Sequence, residues 1–600
     1  MAHSRTKLNT SFIPSAIRRL LVSWMFSVTA EYLLLPAAMK DLHFLDGLTK
    51  MSLVRMLIMT ACAFIVMLVV NRPKIERWLM VSFFAVLATL SLCYSFTFPF
   101  LFANILILSI LLFYAVNGWN GSAYQVVTPA KMRTNWLIVT AVAAILFFVF
   151  ASVWTVCRVL TFSTPTYDFG IFSQMFYNMK QVGLPLTTVE RDGLLSHFHV
   201  HVSPIYYLLL PFYCLFPYPV TLQILQAAIL ASAVIPLWLI SRQHKLHPAI
   251  CAGLCLLQLL YPAFSGGTSY DIHENAFLAP LVLWLFYGFN KRSLFLTLLL
   301  GALILMVKED AAVYTAVIAL YYMIHGLLHK DHWRSITGLL LTSLAVIWFV
   351  AVTGYLAQIG DGVMTYRYKN FMYDGSGSLI TVIKSILLCP MKAVFECVDK
   401  EKLQFIAYTI LPIAALPLFT RRYERFLLLI PYVLVNLMSD YQYQHSIFFQ
   451  YTYGSTPCLL YLTVVNLADM NLEFKRITAI TAAFCISAAS FIYTIFPKAI
   501  SYPQRLQRYG DSYSEIRQTL SLIPDDASVS ATTFYTTYLS QRSVLYDVKY
   551  ASEEHILSTE YVVLNNKDDL FESMHLLLTG NGFSVFAQLE DVLTIYQKNA

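Results

Sequence analysis

Long apolar runs broken by short polar segments dominate the chain from its first residues to about residue 496. A helix crossing a bilayer needs about 20 mainly apolar residues, and somewhat fewer where other helices enclose it. Fifteen runs meet that standard, at 17–38, 52–71, 77–95, 99–118, 134–158, 220–241, 249–264, 276–289, 293–307, 311–328, 336–356, 403–420, 425–438, 453–470 and 477–496. The first run follows Arg18 and Arg19, continues for a full span and lacks a small-residue cleavage site, so it reads as a retained anchor. Beyond residue 497 the period changes. SYSEIRQTLSLI has helical spacing, SVSA, YVVLNN, FSVFAQL and VLTIYQ read as strands, and DDLFESMHLLL reads as a helix between two of them. The pattern predicts an all-α polytopic membrane bundle of about 15 spans, four of them an added N-terminal module, and a small C-terminal α/β domain. The expected units are 1–130 for the four-span module, 131–496 for the main membrane domain with a first outer loop at 159–219, and 497–600 for the α/β domain.

Composition agrees with lipid as the solvent. Apolar residues make up 58% and charged residues 12%, and the mean hydropathy is +0.62; a soluble core could not bury that much apolar surface. The net charge of +7 raises the question of nucleic acid. Its basic residues, however, cluster in the short breaks between spans, as topology-setting loops do, so no nucleic-acid partner is expected. The ten cysteines form no CxxC and no metal-type spacing. A bridge between Cys389 and Cys397 is a minor alternative.

With the N-terminus inside, alternation puts Arg72 with Lys74 and Arg77, Arg242 with Lys245, Lys291 with Arg292, Lys330 with Arg334, Arg421 with Arg422 and Arg425, and Lys475 with Arg476 on one side. The assignment requires the apolar stretch 205–217 not to cross. The other, extracytoplasmic face then receives the 159–219 loop, SGGTSYDIHEN (265–275), Lys308-Glu309-Asp310, the 357–402 segment, SDYQYQHS (439–446) and the tail.

That face holds the candidate chemistry. Asp168, between Tyr167 and Phe169-Gly170, follows a membrane exit; it reads either as a general base or as a helix cap. His197, His199 and His201 alternate, so in an extended segment they would share one face and could bind a metal, a phosphate or a sugar. Interfacial hydrogen bonding is the plainer reading. Asp271, His273 and Glu274 could hold sugar hydroxyls or complete an oxygen- and nitrogen-rich metal site, or simply cap a loop. Lys308, Glu309 and Asp310 sit between two spans with no spacer, so they must face water, one another or an anion. Lys308 is the natural phosphate partner there, with Arg367 or Lys369 in support. Tyr441, Tyr443, His445, Tyr451 and Tyr453 read as an interfacial aromatic rim. Glu31, inside the first span, reads as a buried hydrogen-bonded acid at a helix contact.

The stretches YDFGIFSQ, SHFHVHVSPIYYLLLPFY, QAAILASAVIPLWLISR, DIHENAFLAPLVLW, VKEDAAVY and SVSATTFYTTYLSQR, in that order over roughly 160–545, resemble a family of prokaryotic polytopic membrane proteins, domain of unknown function 2079, grouped with the GT-C glycosyltransferases. Residues 1–130 lie outside the resemblance. It implies a multi-helix bundle, an essential acid in the first outer loop and a soluble domain on the same side. It also implies a sugar donor carried on polyprenyl phosphate and a cell-envelope glycan, lipid or protein as acceptor. Asp168 carries over as the acid, and Tyr167, His197, His199, His201, Asp271, His273, Glu274, Lys308, Glu309, Asp310 and Arg367 as substrate-binding candidates. Phe169 follows Asp168, so the paired-acid motif of many relatives is absent and a divalent metal stays an open alternative. The reading is an enzyme of the cytoplasmic membrane, its N-terminus inside and its tail outside. The alternatives are a polytopic transporter or flippase, and an anchored binding protein acting through its tail.

Overall fold

The computed structural model describes residues 12–117, 130–360, 362 and 364–599. Among them, seven helices are long and apolar enough to cross a membrane, or eight if the bent pair Pro248–Leu260 and Pro262–Ser269 counts as one span. Helices stand at most of the remaining predicted runs too; Phe12–Leu34 and Phe98–Asn117 have 23 and 20 residues, and the others are shorter. Ser455–Ala468, for example, is buried at every residue but the last. A helix enclosed on all sides is apolar all round and need not match the lipid thickness.

Two further expected spans, besides the bent pair, are not single helices. Run 403–420 ends as a helix at Ile410, where Ala414 and Ala415 take left-handed backbone angles ahead of Pro417. Run 425–438 is a 3-10 stretch, Tyr423–Leu429, and a π-helical stretch, Tyr432–Leu437, divided at Pro431, where a missing N–H breaks the regular ladder. The stretch 205–217 forms a 3-10 turn and the six-residue helix Leu210–Leu215, too short to cross.

Phe12–Leu34 packs on Leu53–Val70 and Pro73–Tyr94, and the latter on Phe98–Asn117. Two buried acids, with three ion pairs between them, tie this group together. Glu31 binds Arg55 at 2.5 Å, and Glu76 binds Arg18 at 2.6 Å and Arg19 at 2.9 Å. Glu31 is thus the buried paired acid at a helix contact. Cys389 and Cys397 are both free thiols.

The last apolar helix does not stop at residue 496. Glu473–Ser490, a π turn Phe491–Ile495 and Phe496–Leu520 form a 48-residue helical segment, kinked at Tyr509, that carries the chain out of the bundle. Beyond it lies a five-stranded mixed sheet in the order Leu545–Asp547, Val529–Ala531, Tyr561–Asn565, Leu593–Lys598, Phe583–Leu589. The first two pairings are parallel and the last two antiparallel. Four of these strands and the helix Phe571–Gly580 stand where the sequence pattern put them; the edge strand Leu545–Asp547 is an addition.

The tail docks on the 159–219 segment. Thr188 Oγ1 donates to the Leu545 carbonyl at 2.6 Å and accepts from the Leu545 N–H at 2.9 Å. Ile171 and Val189 enter an apolar cluster with Ile516, Val529 and Leu593. The outer loop therefore sits between the bundle and the sheet.

Candidate active site

Asp168 lies in a π-helical turn, Thr166–Gly170, leading into the helix Ile171–Val182. Pro165 begins the turn, and its carbonyl accepts the Gly170 N–H at 3.4 Å. Such turns widen the helix and re-aim a side chain, and they recur at functional sites. The Tyr167 side chain lies outside the described residues. Asp168 is about a quarter exposed and accepts a hydrogen bond from the Tyr270 hydroxyl, with His273 Nε2 3.9 Å away on its other oxygen. Burial, and then the Asp168 charge, push the Tyr270 hydroxyl far above its usual pKa, so it remains a donor.

The loop carrying Tyr270 is pressed into the bundle. A Cβ at Gly266 would collide with the Ile447 carbonyl, and one at Gly267 would lie 2.7 Å from the Tyr453 ring. The glycine pair is what lets this loop approach. Asp271 then points away from Asp168. Arg158 binds it at 3.2 and 3.0 Å and Gln223 at 2.6 Å, all fully buried. Arg158 also reaches the Tyr502 hydroxyl at 3.1 Å. Asp271 is thus a clamp between the entry helix, the loop and the exit helix, and it does not line the cavity.

That cavity, of about 530 Å3, is lined by Asp168, Tyr270 and His273 on one side, by His197 and His201 on another, and by Lys308, Arg367 and the tyrosines Tyr366, Tyr441, Tyr443 and Tyr451. Each histidine is held by a carboxylate: His197 Nδ1 by Glu190 at 2.9 Å, His201 Nδ1 by Glu309 at 2.9 Å, and His273 Nδ1 by Glu274 at 2.9 Å. The histidine segment is not extended. His197–His199 forms a 3-10 turn in which the His201 N–H bonds the His197 carbonyl at 2.9 Å. The turn brings the His197 and His201 rings to 6.0 Å and leaves His199 off the cavity wall. The three therefore do not share one face. Local hydrogen bonding, begun by the Ser196 cap on Phe198 N–H, wins over the alternation.

Glu274 is fully buried behind the cavity. It accepts from Tyr206 at 2.7 Å and pairs with Lys308 Nζ at 3.0 Å. Burial alone would raise its pKa, yet His273 and Lys308 hold it well below the usual carboxylate range. Burial likewise opposes the Lys308 charge, but Glu274, Glu309 and Asp310 together keep the ammonium protonated. Its side chain also lines the cavity. Arg367 lies against the Tyr441 ring at 4.6 Å and the Tyr451 ring at 5.4 Å, which fixes its guanidinium by cation–π contact.

A second, apolar cavity of about 280 Å3 adjoins the first and shares His201, Lys308, Met364 and Arg367 with it. Its walls include Val313, Phe349, Leu379, Val382, Ile383 and Ile386, and Glu309 and Asp310 line it as well. Asp310 Oδ1 there is buried without a hydrogen-bond partner. A polar chamber thus opens onto an apolar one, with two cations at the junction.

Glu190, Tyr270, Arg158 and Gln223 have no distinguishing motif. A lone arginine closing a 25-residue apolar run was the available signal for Arg158. Tyr441, Tyr443 and Tyr451 belong to the cavity rather than to a lipid-facing rim, whereas His445 and Tyr453 do not line it. Among the described residues, the group of three metal-type ligands within 4.8 Å of one another is His325, His329 and Glu424, at the far end of the Ala311–His329 helix from Lys308.

No curated protein matches the chain. Among solved structures it is similar to ArnT from Cupriavidus metallidurans in the apo state, at 13% identity over 77% of this chain and 98% of that chain, with a TM-score of 0.44. It is also similar to the arabinofuranosyltransferase AftD from Mycobacteria, at 12% identity over 80% of this chain and 40% of that chain, with a TM-score of 0.43. The family described as predicted membrane protein (DUF2079) matches residues 158–579, a stretch that begins at Arg158 and holds every residue of the cavity, and the chain belongs to that family.

Proposed function

We propose that the protein is an integral-membrane glycosyltransferase that moves a sugar from a polyprenyl-phosphate donor to an acceptor on the extracytoplasmic side. The observation that carries this reading is the junction of the two cavities. A sugar phosphate on a long apolar tail needs a polar chamber, cations beside the phosphate and an adjoining apolar wall. The 530 and 280 Å3 cavities, meeting at Lys308 and Arg367, supply all three. The GT-C resemblance of the first outer loop points the same way.

In this mechanism Asp168 accepts the proton of the acceptor hydroxyl as its oxygen attacks the anomeric carbon. The bond from that carbon to the phosphate oxygen breaks with inversion. The departing polyprenyl phosphate takes the electron pair, and Lys308 and Arg367 stabilise its growing charge. Tyr270 holds Asp168 in place, and His197 and His201, each backed by its carboxylate, orient hydroxyls in the chamber. Glu274 and Asp271 act from behind the wall as positioning residues.

The test is incubation of purified protein with radiolabelled polyprenyl-phosphate sugars, scoring release of the sugar from the lipid. Bond cleavage that depends on Asp168 supports the reading. Transbilayer movement of intact donor without cleavage would instead make the protein a flippase.

A further inference from the structure

At the end of the bundle away from Asp168, a separate cavity of about 240 Å3 opens between helix ends. Its wall includes Lys245 beyond the helix Val234–Gln243, Arg334 in the first turn of His332–Ile359, Arg422 and Arg425 around the 3-10 stretch Tyr423–Leu429, and Asp469 after Ser455–Ala468. Four cationic side chains face one carboxylate. Asp469 is already shared, 2.7 Å from Arg425 Nη1 and 3.7 Å from Arg422 Nε.

One carboxylate, Asp469, thus serves two of these cations. Arg425 is 4% exposed, and its Nε has no hydrogen-bond partner. Its Nη1 is spent on Asn466 Oδ1 at 2.7 Å as well as on Asp469. Arg334 Nε is also buried without a hydrogen-bond partner, its carboxylate Asp331 standing 3.7 Å away. A buried guanidinium N–H left without an acceptor is costly, so these two side chains hold more positive charge than their partners compensate. Burial first, and Arg425 second, push the neighbouring His244 down to about 4, so the ring on this wall is neutral at pH 7. The His325–His329–Glu424 group borders the same wall. A metal cation there would share the space with Arg334 and Arg425 and be repelled by both. An anion would not.

We propose that this cavity is a binding site for a phosphate monoester, free in solution or carried on a lipid headgroup. Planar guanidinium forks suit tetrahedral oxyanions. The site is distinct from the candidate active site. Lys308 precedes the Ala311–His329 helix and His325 lies near its end, so about 20 Å of helix separates the two chambers at 1.5 Å per residue. Lys245, Arg334, Arg422 and Arg425 all fall in breaks that charge asymmetry assigns to the inner face.

Two binding measurements on the full-length protein test this. In detergent, radiolabelled inorganic phosphate should bind saturably at one equivalent per chain. In nanodiscs, native mass spectrometry should show phosphatidic acid retained over phosphatidylcholine, and free phosphate should displace it. Arg334→Gln and Arg422→Gln, both partly exposed, should each weaken binding about tenfold while leaving the unliganded Tm unchanged. Arg425→Lys, which keeps the charge but loses the fork, should weaken it too. Phosphate binding without lipid selectivity assigns a free anion; lipid retention without phosphate binding assigns the headgroup. Absence of both, or binding indifferent to Arg334→Gln and Arg422→Gln, overturns the site.

Discussion

The Tyr270 hydroxyl donates to Asp168 Oδ2, joining residues 102 positions apart. One comes from the turn after the 134–160 span and the other from the loop behind Gly266-Gly267, so the carboxylate is aimed by a part of the chain it does not belong to. Because the tyrosine is largely shielded and its proton is held, it orients Asp168 without competing as a base.

Asp168→Asn should reduce sugar transfer by about 10²–10⁴-fold, the usual range for loss of a general base, with no change in Tm. Tyr270→Phe keeps the base and loses its orientation, so a fall of about tenfold in kcat is expected, roughly one charged hydrogen bond. Release of radiolabelled sugar from the lipid donor measures both. Unchanged turnover in Asp168→Asn would remove the residue from the chemistry.

Lys308 and Glu274 compensate one another in the interior, 3.0 Å apart. Lys308→Met alone should destabilise by about 3 kcal/mol, because it removes the lysine partner of buried Glu274 and leaves His273 and Tyr206 to hold the carboxylate. Adding Glu274→Gln should restore most of the stability and none of the activity. Thermal melts followed by circular dichroism give the first result and the transfer assay the second. A double variant that regains activity would make Lys308 purely structural.

The pH dependence of stability should divide between two histidines. Burial, and then Lys308, lower His201 below its ordinary 6.5 despite Glu309. Folding thus favours its neutral ring; that contribution is complete above 6.5 and lost as pH falls towards the depressed value. Burial opposes the charged form of His197, but Glu190 outweighs it and raises the pKa. The His197 contribution is complete below 6.5 and lost as pH rises through the raised value. Between about pH 7 and 5, His201→Gln should therefore lose less Tm than the parent, and above about pH 6.5 His197→Gln should lose less.

Ile383 lines the apolar chamber and is 58% exposed, so a larger side chain there can enter without disturbing the packed core. Ile383→Trp should raise KM for long-chain polyprenyl donors and leave short-chain analogues nearly unaffected. Equal effects on both would detach this chamber from the donor tail.

Much of this was legible in the order of residues. Apolar runs of span length placed the long helices, because lipid imposes a length and a composition that one-dimensional reading can count. Alternation in YVVLNN and VLTIYQ placed strands of the tail, since period two is a local property. Asp168, His201 and Lys308 stood out as charged or titratable groups at the borders of apolar runs, where charge is expensive enough to be noticed.

Partnership was not legible. Asp271 and Asp168 look alike in sequence, yet Arg158 and Gln223 close on the first and Tyr270 on the second. His199 has the same spacing as its neighbours, but a 3-10 turn carries it off the cavity wall. Glu190 carries no motif and still holds His197. Composition and period along the chain determine which segments enter the membrane and which fold outside it. Tertiary structure alone decides which buried charge meets which, because that depends on helices brought together from more than a hundred residues apart.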